Sequence, residues 1–281
     1  MPSTKSSRLL LLLTAAIWGF AFVAQRAGMD HLGPMAFNTI RFGLGALVLF
    51  PVFRKHISLS YLPQAILAGA ILFAGASLQQ WGVVFTTAGK AGFITGLYIV
   101  FVPVLGLFTG HREGKTLWTG ILLSLAGLWL LSFSQGFRSV NPGDILVLAG
   151  AVMWAVHVRL IGQYADRYHP GGFAVAQFTT VTVLSAAAAF ILKESWSGTT
   201  AAWLPLAYSG LLSVGIAFTI QIFAQKNVRP APAAIIMSLE AVFAAIGGSM
   251  VLGESLTPTE LSGATLMFAG MIVAQIPARH R

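Results

Sequence analysis

The chain has 281 residues, 56% of them hydrophobic and only 9% charged, with a mean hydropathy of +0.80. Soluble domains carry about 25% charged residues, so a water-soluble globule is excluded, and apolar spans of roughly 20 residues each leave no room for a separate catalytic or nucleic-acid-binding domain. With no cysteine, disulfides, iron–sulfur clusters and thiolate zinc sites are excluded, and neither a metal nor a cofactor is expected.

In chain order, apolar stretches bounded by charges, proline or glycine run over about 9–26, 34–53, 62–84, 90–109 and 116–135, then 144–164, 172–192, 202–224, 231–252 and 258–277. Each is long enough to cross ~30 Å of hydrocarbon as a helix. The runs are continuous, where barrel strands alternate apolar and polar residues. An all-α integral membrane protein of ten transmembrane helices is expected. Lys5 and Arg8 followed by Leu9 to Leu13 have the outline of a secretory signal, but the apolar run continues through Ile17, Trp18 and Phe20 to Val23. It reads as the first span.

Seventeen Lys and Arg stand against 8 Asp and Glu, a balance that suits nucleic-acid binding only when the cations cluster on one face. Here topology accounts for them. Connections on one side hold Lys5, Arg8, Arg54, Lys55, Arg112, Lys115, Arg159, Arg167, Lys226, Arg229, Arg279 and Arg281; those on the other hold Arg26, Lys90, Arg138 and Lys193. Cations are retained on the cytoplasmic side, so both termini are expected there, with the lipid bilayer as partner and no nucleic acid.

The halves of the chain repeat one another. Trp18 parallels Trp154, Gln79 parallels Gln221, and Gly120 with Gly127 parallels Gly263 with Gly270. This predicts a five-helix unit over 1–138 and a second over 139–281, and an odd number of spans inserts the second upside down. Inverted repeats are a transporter architecture, with substrate bound between the halves near the midplane and access alternating by rocking.

These residues resemble the EamA-type members of the drug/metabolite transporter superfamily. The resemblance rests on Ala16-Ile17-Trp18-Gly19, Arg41-Phe42, Pro103-Val104 and Leu252-Gly253-Glu254-Ser255-Leu256 followed by Gly263 and Gly270. The chain departs from the pattern at Trp154-Ala155, at Ala241 after Leu-Glu, and at Arg112-Glu113. The resemblance supports the fold and a bacterial inner-membrane location but leaves the substrate open; the polar, little-charged spans look most like the YddG type of amino-acid exporter.

Ionisable groups inside a span cost ~2.5 to 3.5 kcal/mol and normally face partners or a water-filled path. Glu240, in the middle of span 9, has Tyr98 as its repeat equivalent; it is a candidate ligand for a substrate ammonium, a site for a coupling proton, or a structural carboxyl. Arg41 lies two turns into span 2 with Asn38 on the same helical face, suited either to a carboxylate in a cavity or to helix-end carbonyls. Lys90 reads as an interface anchor. Trp18, Trp154 and His157 are candidates to line an amphipathic pocket, whereas Trp118, Trp196 and Trp203 fall at interfaces where aromatic belts form. Gln79, Gln80, Gln221 and Gln225 would orient a zwitterion, contribute to gates, or bond between helices. Gly92 and Gly96 form a small-x-x-x-small pair expected to permit close packing.

Enzyme signatures are missing. Gly114-Lys115-Thr116 lacks the phosphate-loop glycine at position 109, which is Thr109, no H-E-x-x-H occurs, and Gly75-Ala76-Ser77-Leu78 is not a nucleophile elbow. The expected function is a secondary transporter exporting small metabolites, neutral or aromatic amino acids foremost. Efflux of lipophilic cations is the alternative. A nucleotide-sugar carrier would need several inward cations, and a helical scaffold or channel is the reading from another class.

Overall fold

A computed structural model of the chain describes residues 3–111, 113–133, 141–252 and 257–276. Among them the secondary structure is helical throughout. The helices are α1 (Thr4–Gly28), α2 (Pro34–Phe53), α3 (Leu62–Phe85), α4 (Ala88–Gly96), α5 (Tyr98–Phe108), α6 (Lys115–Phe133), α7 (Pro142–Tyr164), α8 (Pro170–Ile191), α9 (Trp203–Ala207), α10 (Thr219–Ala224), α11 (Pro230–Met237), α12 (Glu240–Leu252) and α13 (Pro258–Ala274), with a π-helical segment, Tyr208–Phe218, joining α9 to α10. Proline opens α2, α7, α8, α11 and α13, where its missing N–H costs nothing. Capping boxes of Asn141 with Asp144 and of Thr257 with Glu260 fix the starts of α7 and α13.

Eight helical stretches are long and apolar enough to cross a membrane, counting α4 with α5, α9 through α10, and α11 with α12 as one each. Lys115–Leu131 is a shorter apolar helix. Two expected spans are interrupted in the middle. The run over 90–109 breaks between α4 and α5 at Leu97, and the run over 231–252 breaks between α11 and α12 at Ser238 and Leu239. Gly96 is a poor helix former at the first break. At the second, the Ser238 hydroxyl donates to the Ile235 carbonyl at 2.9 Å, competing with the helical ladder.

The most extensive helix pairs are α6 with α13, α3 with α7, α2 with α8, and α1 with α12. Glycine brings the backbones together. A Cβ at Gly127 would meet the Gly263 carbonyl oxygen at 2.5 Å, and one at Gly120 the Gly270 oxygen at 2.7 Å. Gly92 and Gly96 do not serve this purpose: an added Cβ at Gly92 would sit 3.5 Å from the Ala244 side chain, and one at Gly96 would reach only the side chain of Leu128, at 3.3 Å. The expectation of close backbone packing there is corrected. Gly253 to Leu256 of the sequence motif, together with Arg112, Arg138, Arg279 and Arg281, lie outside the described residues.

Candidate functional site: a contracted cavity at two helix breaks

Both breaks open onto one central cavity. Its walls carry Trp18, Phe22 and Gln25 from α1, Arg41 from α2, Gln79 from α3, Thr95 from α4 and Tyr98 from α5. The second half adds Trp154 and Val158 from α7, Ser213 and Phe218 from the π-helical segment, Gln221 from α10 and Glu240 from α12. Seven of the nine candidates from the sequence therefore meet here. The space is narrow, with room for the centre of a water-sized sphere over about 40 Å³.

Gly19 sets the position of α1. A Cβ there would come within 2.6 Å of the Glu240 carbonyl oxygen, so only glycine lets α1 lie directly on the start of α12 and place Trp18 beside Glu240. Three side-chain bonds then hold α1 to the π-helical segment. The Trp18 indole donates to Ser213 O at 3.3 Å, Thr14 Oγ1 to Ala217 O at 3.3 Å, and Tyr208 Oη to Ile17 O at 3.0 Å. Phe218 lies between the two tryptophans, its ring centroid 4.6 Å from Trp18 and 5.8 Å from Trp154.

Gln79 joins three helices at the cavity wall. Its oxygen accepts from Trp154 Nε1 at 2.8 Å and from Thr95 Oγ1 at 3.4 Å, while its nitrogen donates to Gln25 Oε1 at 3.1 Å. Gln80, one residue on, donates instead to the Gln25 carbonyl at 3.4 Å and does not line the cavity. Gln221 donates to Gln225 Oε1 at 2.9 Å, and Gln225 donates to Val158 O at 2.9 Å. This chain of amides separates the cavity from a wider vestibule, of about 930 Å³ by the same measure, at the end where α1 begins.

Among the described residues, Arg41 and Glu240 are the only charged ones on the cavity wall, each 3% exposed. Arg41 Nε donates to Asn38 Oδ1 at 2.9 Å, and its guanidinium lies 4.9 Å from the centre of the Phe42 ring. Tyr98 stands beside Glu240, yet neither the Tyr98 hydroxyl nor Glu240 Oε1 has a well-formed hydrogen bond. No ion pair among the described residues includes Arg41 or Glu240. The cavity thus presents one basic and one acidic side chain that form no ion pair with each other.

Two candidates stand behind the wall. Asn38 orients Arg41 without lining the cavity. His157, 1% exposed, pairs through Nε2 with Gln177 at 3.0 Å and packs edge-on against Trp154 and Phe218. Lys90 is tied at 2.6 Å to Asp144, itself 6% exposed and bonded to Thr86 Oγ1 at 2.8 Å. This pair lies at the end opposite the vestibule.

The EamA-like transporter family matches residues 5–133 and again residues 141–275. The chain belongs to the EamA-like transporter family. An uncharacterized transporter of Archaeoglobus fulgidus is 32% identical over 267 residues, covering 95% of this chain and 84% of that one. The threonine/homoserine exporter RhtA of Escherichia coli K12 is 27% identical over 289 residues, covering 99% and 94%. The uncharacterized inner membrane transporter YedA of the same strain is 30% identical over 279 residues, covering 92% and 87%. One solved crystal structure superposes with a TM-score of 0.84 at 20% identity, over 99% of this chain and all of the other. It shares the fold. The protein is a multi-pass membrane transporter, not an enzyme.

Proposed function

We propose that the transporter exports neutral amino acids, holding the zwitterion in the central cavity with its carboxylate toward Arg41 and its ammonium toward Glu240. The observation that carries this reading is the pair of opposite, mutually unpaired charges on one buried wall. A buried charge without a partner is costly, and a zwitterion supplies both counter-charges at once. The walls of Trp18, Trp154 and Phe218 suit an apolar or aromatic side chain, and a relative that exports threonine and homoserine fits the same substrate class.

A space of about 40 Å³ for the centres of water-sized spheres holds a few waters, and the cavity widens for an amino acid to enter. Alternating access provides that, with the two halves acting as inverted repeats of five helices and α6 with α13 completing ten spans. The packing pairs support the repeat: exchanging the halves turns the α3–α7 contact into that of α1 with the π-helical segment, and returns α2–α8 and α6–α13 to themselves. Both breaks, at Tyr98 and Glu240, then fall at equivalent places. Half-helix ends at the midplane are where such carriers bind substrate and coupling ions, so Glu240 is also the proposed proton site. The cation count supports a cytoplasmic side for both termini. The alternative, efflux of lipophilic cations, is opposed by Arg41 on the same wall.

The test is counterflow of labelled amino acids, a lipophilic cation and a nucleotide sugar in proteoliposomes. Saturable exchange of neutral amino acids is expected. Arg41→Gln is expected to weaken amino-acid exchange by tenfold or more, as the loss of one charge-assisted hydrogen bond of about 1.5 to 3 kcal/mol requires. Cation flux that survives Arg41→Gln and vanishes in Glu240→Gln would overturn the zwitterion reading.

A further inference from the structure

The vestibule has a composition that the proposed cargo does not explain. It is lined by the cations Arg159, Arg167, Lys226 and Arg229 against the carboxylates Glu113 and Asp166, and Arg229 already pairs with Glu113 at 3.3 Å. A zwitterion carries no net charge, so an excess of cations at this mouth does nothing to gather it. Retention of cations on one side of the membrane accounts for their number; their convergence on one vestibule suits an anion.

Arg159 is built into the site. Its Nη1 donates to Val102 O at 3.3 Å and its Nη2 to Thr109 Oγ1. Gly106 leaves the room: an added Cβ there would lie 2.8 Å from Nη1. The guanidinium is thereby pinned against the last turns of α5; its remaining N–H groups make no further described hydrogen bond, and Glu113 is the carboxylate nearby. Beside these cations runs an apolar wall of Leu105 and Phe108 from α5 and Val156 and Leu160 from α7. Phe108 is 82% exposed. A small soluble anion has no use for that wall, whereas a phospholipid has a phosphate for the cations and acyl chains for the apolar face.

We propose that the vestibule is a binding site for an anionic phospholipid, its headgroup phosphate held by Arg159 and Lys226 and its chains laid along Leu105, Phe108, Val156 and Leu160. Basic pockets between transmembrane helices recognise such headgroups. The inference requires only that the helices cross a bilayer, and it stands or falls independently of the amino-acid assignment.

The test is native mass spectrometry and thermal unfolding of the purified full-length protein, with phosphatidylglycerol, phosphatidylcholine, glycerol 3-phosphate and threonine as separate probes. Phosphatidylglycerol is expected to remain bound and to raise the melting temperature, while phosphatidylcholine and glycerol 3-phosphate leave it unchanged. Each cation near an anionic lipid surface contributes about fivefold in affinity, so Arg159→Gln with Lys226→Gln should lower phosphatidylglycerol affinity about twenty-fivefold. Arg159→Lys, which keeps the charge, should retain most of it. Should the double variant fail to fold, Lys226→Gln alone is read for its fivefold loss. Equal retention of phosphatidylglycerol by wild type and Lys226→Gln overturns the proposal. So does displacement of the lipid by glycerol 3-phosphate, which would make this a free-anion site, or by threonine, which would make it a station for cargo.

Discussion

Gln79 on α3 accepts the indole N–H of Trp154 on α7 at 2.8 Å, and the same amide donates to Gln25 on α1 at 3.1 Å. One side chain therefore fixes the orientation of an aromatic wall relative to two other helices. Trp154→Phe keeps a ring in place but removes the donor, leaving Gln79 Oε1 only the 3.4 Å bond from Thr95. A hydrogen bond of this kind is worth about 0.5 to 1.5 kcal/mol. The expected result is a KM for counterflow raised by roughly two- to tenfold with little change in maximal rate, and Trp154→Ala should be worse. A Phe variant indistinguishable from wild type would show that the bond does not orient the pocket.

Asp144 and Lys90 bind the first turns of α7 and α4 at the end away from the vestibule. Removing one member of a buried ion pair typically costs about 3 to 5 kcal/mol, because the other charge stays buried without its partner. Asp144→Asn is therefore expected to lower the melting temperature in detergent markedly, while Lys90→Met combined with Asp144→Asn, which keeps an acceptor for Asn141 N and Thr86, recovers part of the loss. Additive damage in the double variant would count against a coupled pair.

Gly127 and Gly92 look alike in the sequence, and their environments separate them. An alanine at 127 meets backbone of α13 at 2.5 to 2.7 Å, which cannot give way, whereas one at 92 meets side chains at 3.5 Å or beyond. Gly127→Ala should destabilise the protein by about 1 to 3 kcal/mol through overpacking, and Gly92→Ala should leave the unfolding transition near that of wild type. Fluorescence-detected thermal unfolding of the two variants side by side decides it.

His169 caps the start of α8 by accepting from Gly172 N at 3.4 Å, and its ring stacks on His56 with centroids 3.8 Å apart. Burial first, then the charges of His56 and Lys226, hold its pKa below the ordinary histidine value. The folded state therefore binds its proton less readily than the unfolded state does. Its contribution to stability is complete above pH ~6.5 and is lost as pH falls toward the lowered value. His169→Asn keeps a capping acceptor and removes this titration, so its melting temperature should fall less than that of wild type between about pH 7 and 5. Parallel curves would exclude the effect.

The residues most legible in the sequence were those that violate the composition around them. Glu240, Arg41 and Gln79 announce themselves because a polar group in a lipid-crossing run needs a reason to be there. Phe218 and Val158, which line the same cavity, carry no such signal, since an apolar side chain facing a cavity reads the same as one facing lipid. Gln25 had a signal, an amide at the end of span 1, that gained meaning only through its bond to Gln79. His157 shares a helical face with Trp154, and that periodicity pointed to a common pocket; the side chain instead turns to Gln177 of α8, a partner 20 residues away that spacing cannot supply.

Composition by itself determined that this chain lives in a membrane as helices, because 56% hydrophobic residues in continuous runs leave the backbone no other way to satisfy its hydrogen bonds in lipid. Only the tertiary structure decided where those helices break. The runs over 90–109 and 231–252 are uninterrupted as hydropathy, and at Leu97 and Ser238 their backbone groups turn to tighter local bonds, Leu97 N to Ile94 O at 3.2 Å and Leu239 N to Ile236 O at 3.3 Å, with the Ser238 hydroxyl on Ile235 O. The unpaired charges of Arg41 and Glu240 face a common space because long-range packing, with Gly19 admitting α1 against α12, sets which buried groups meet, and local pattern does not encode it.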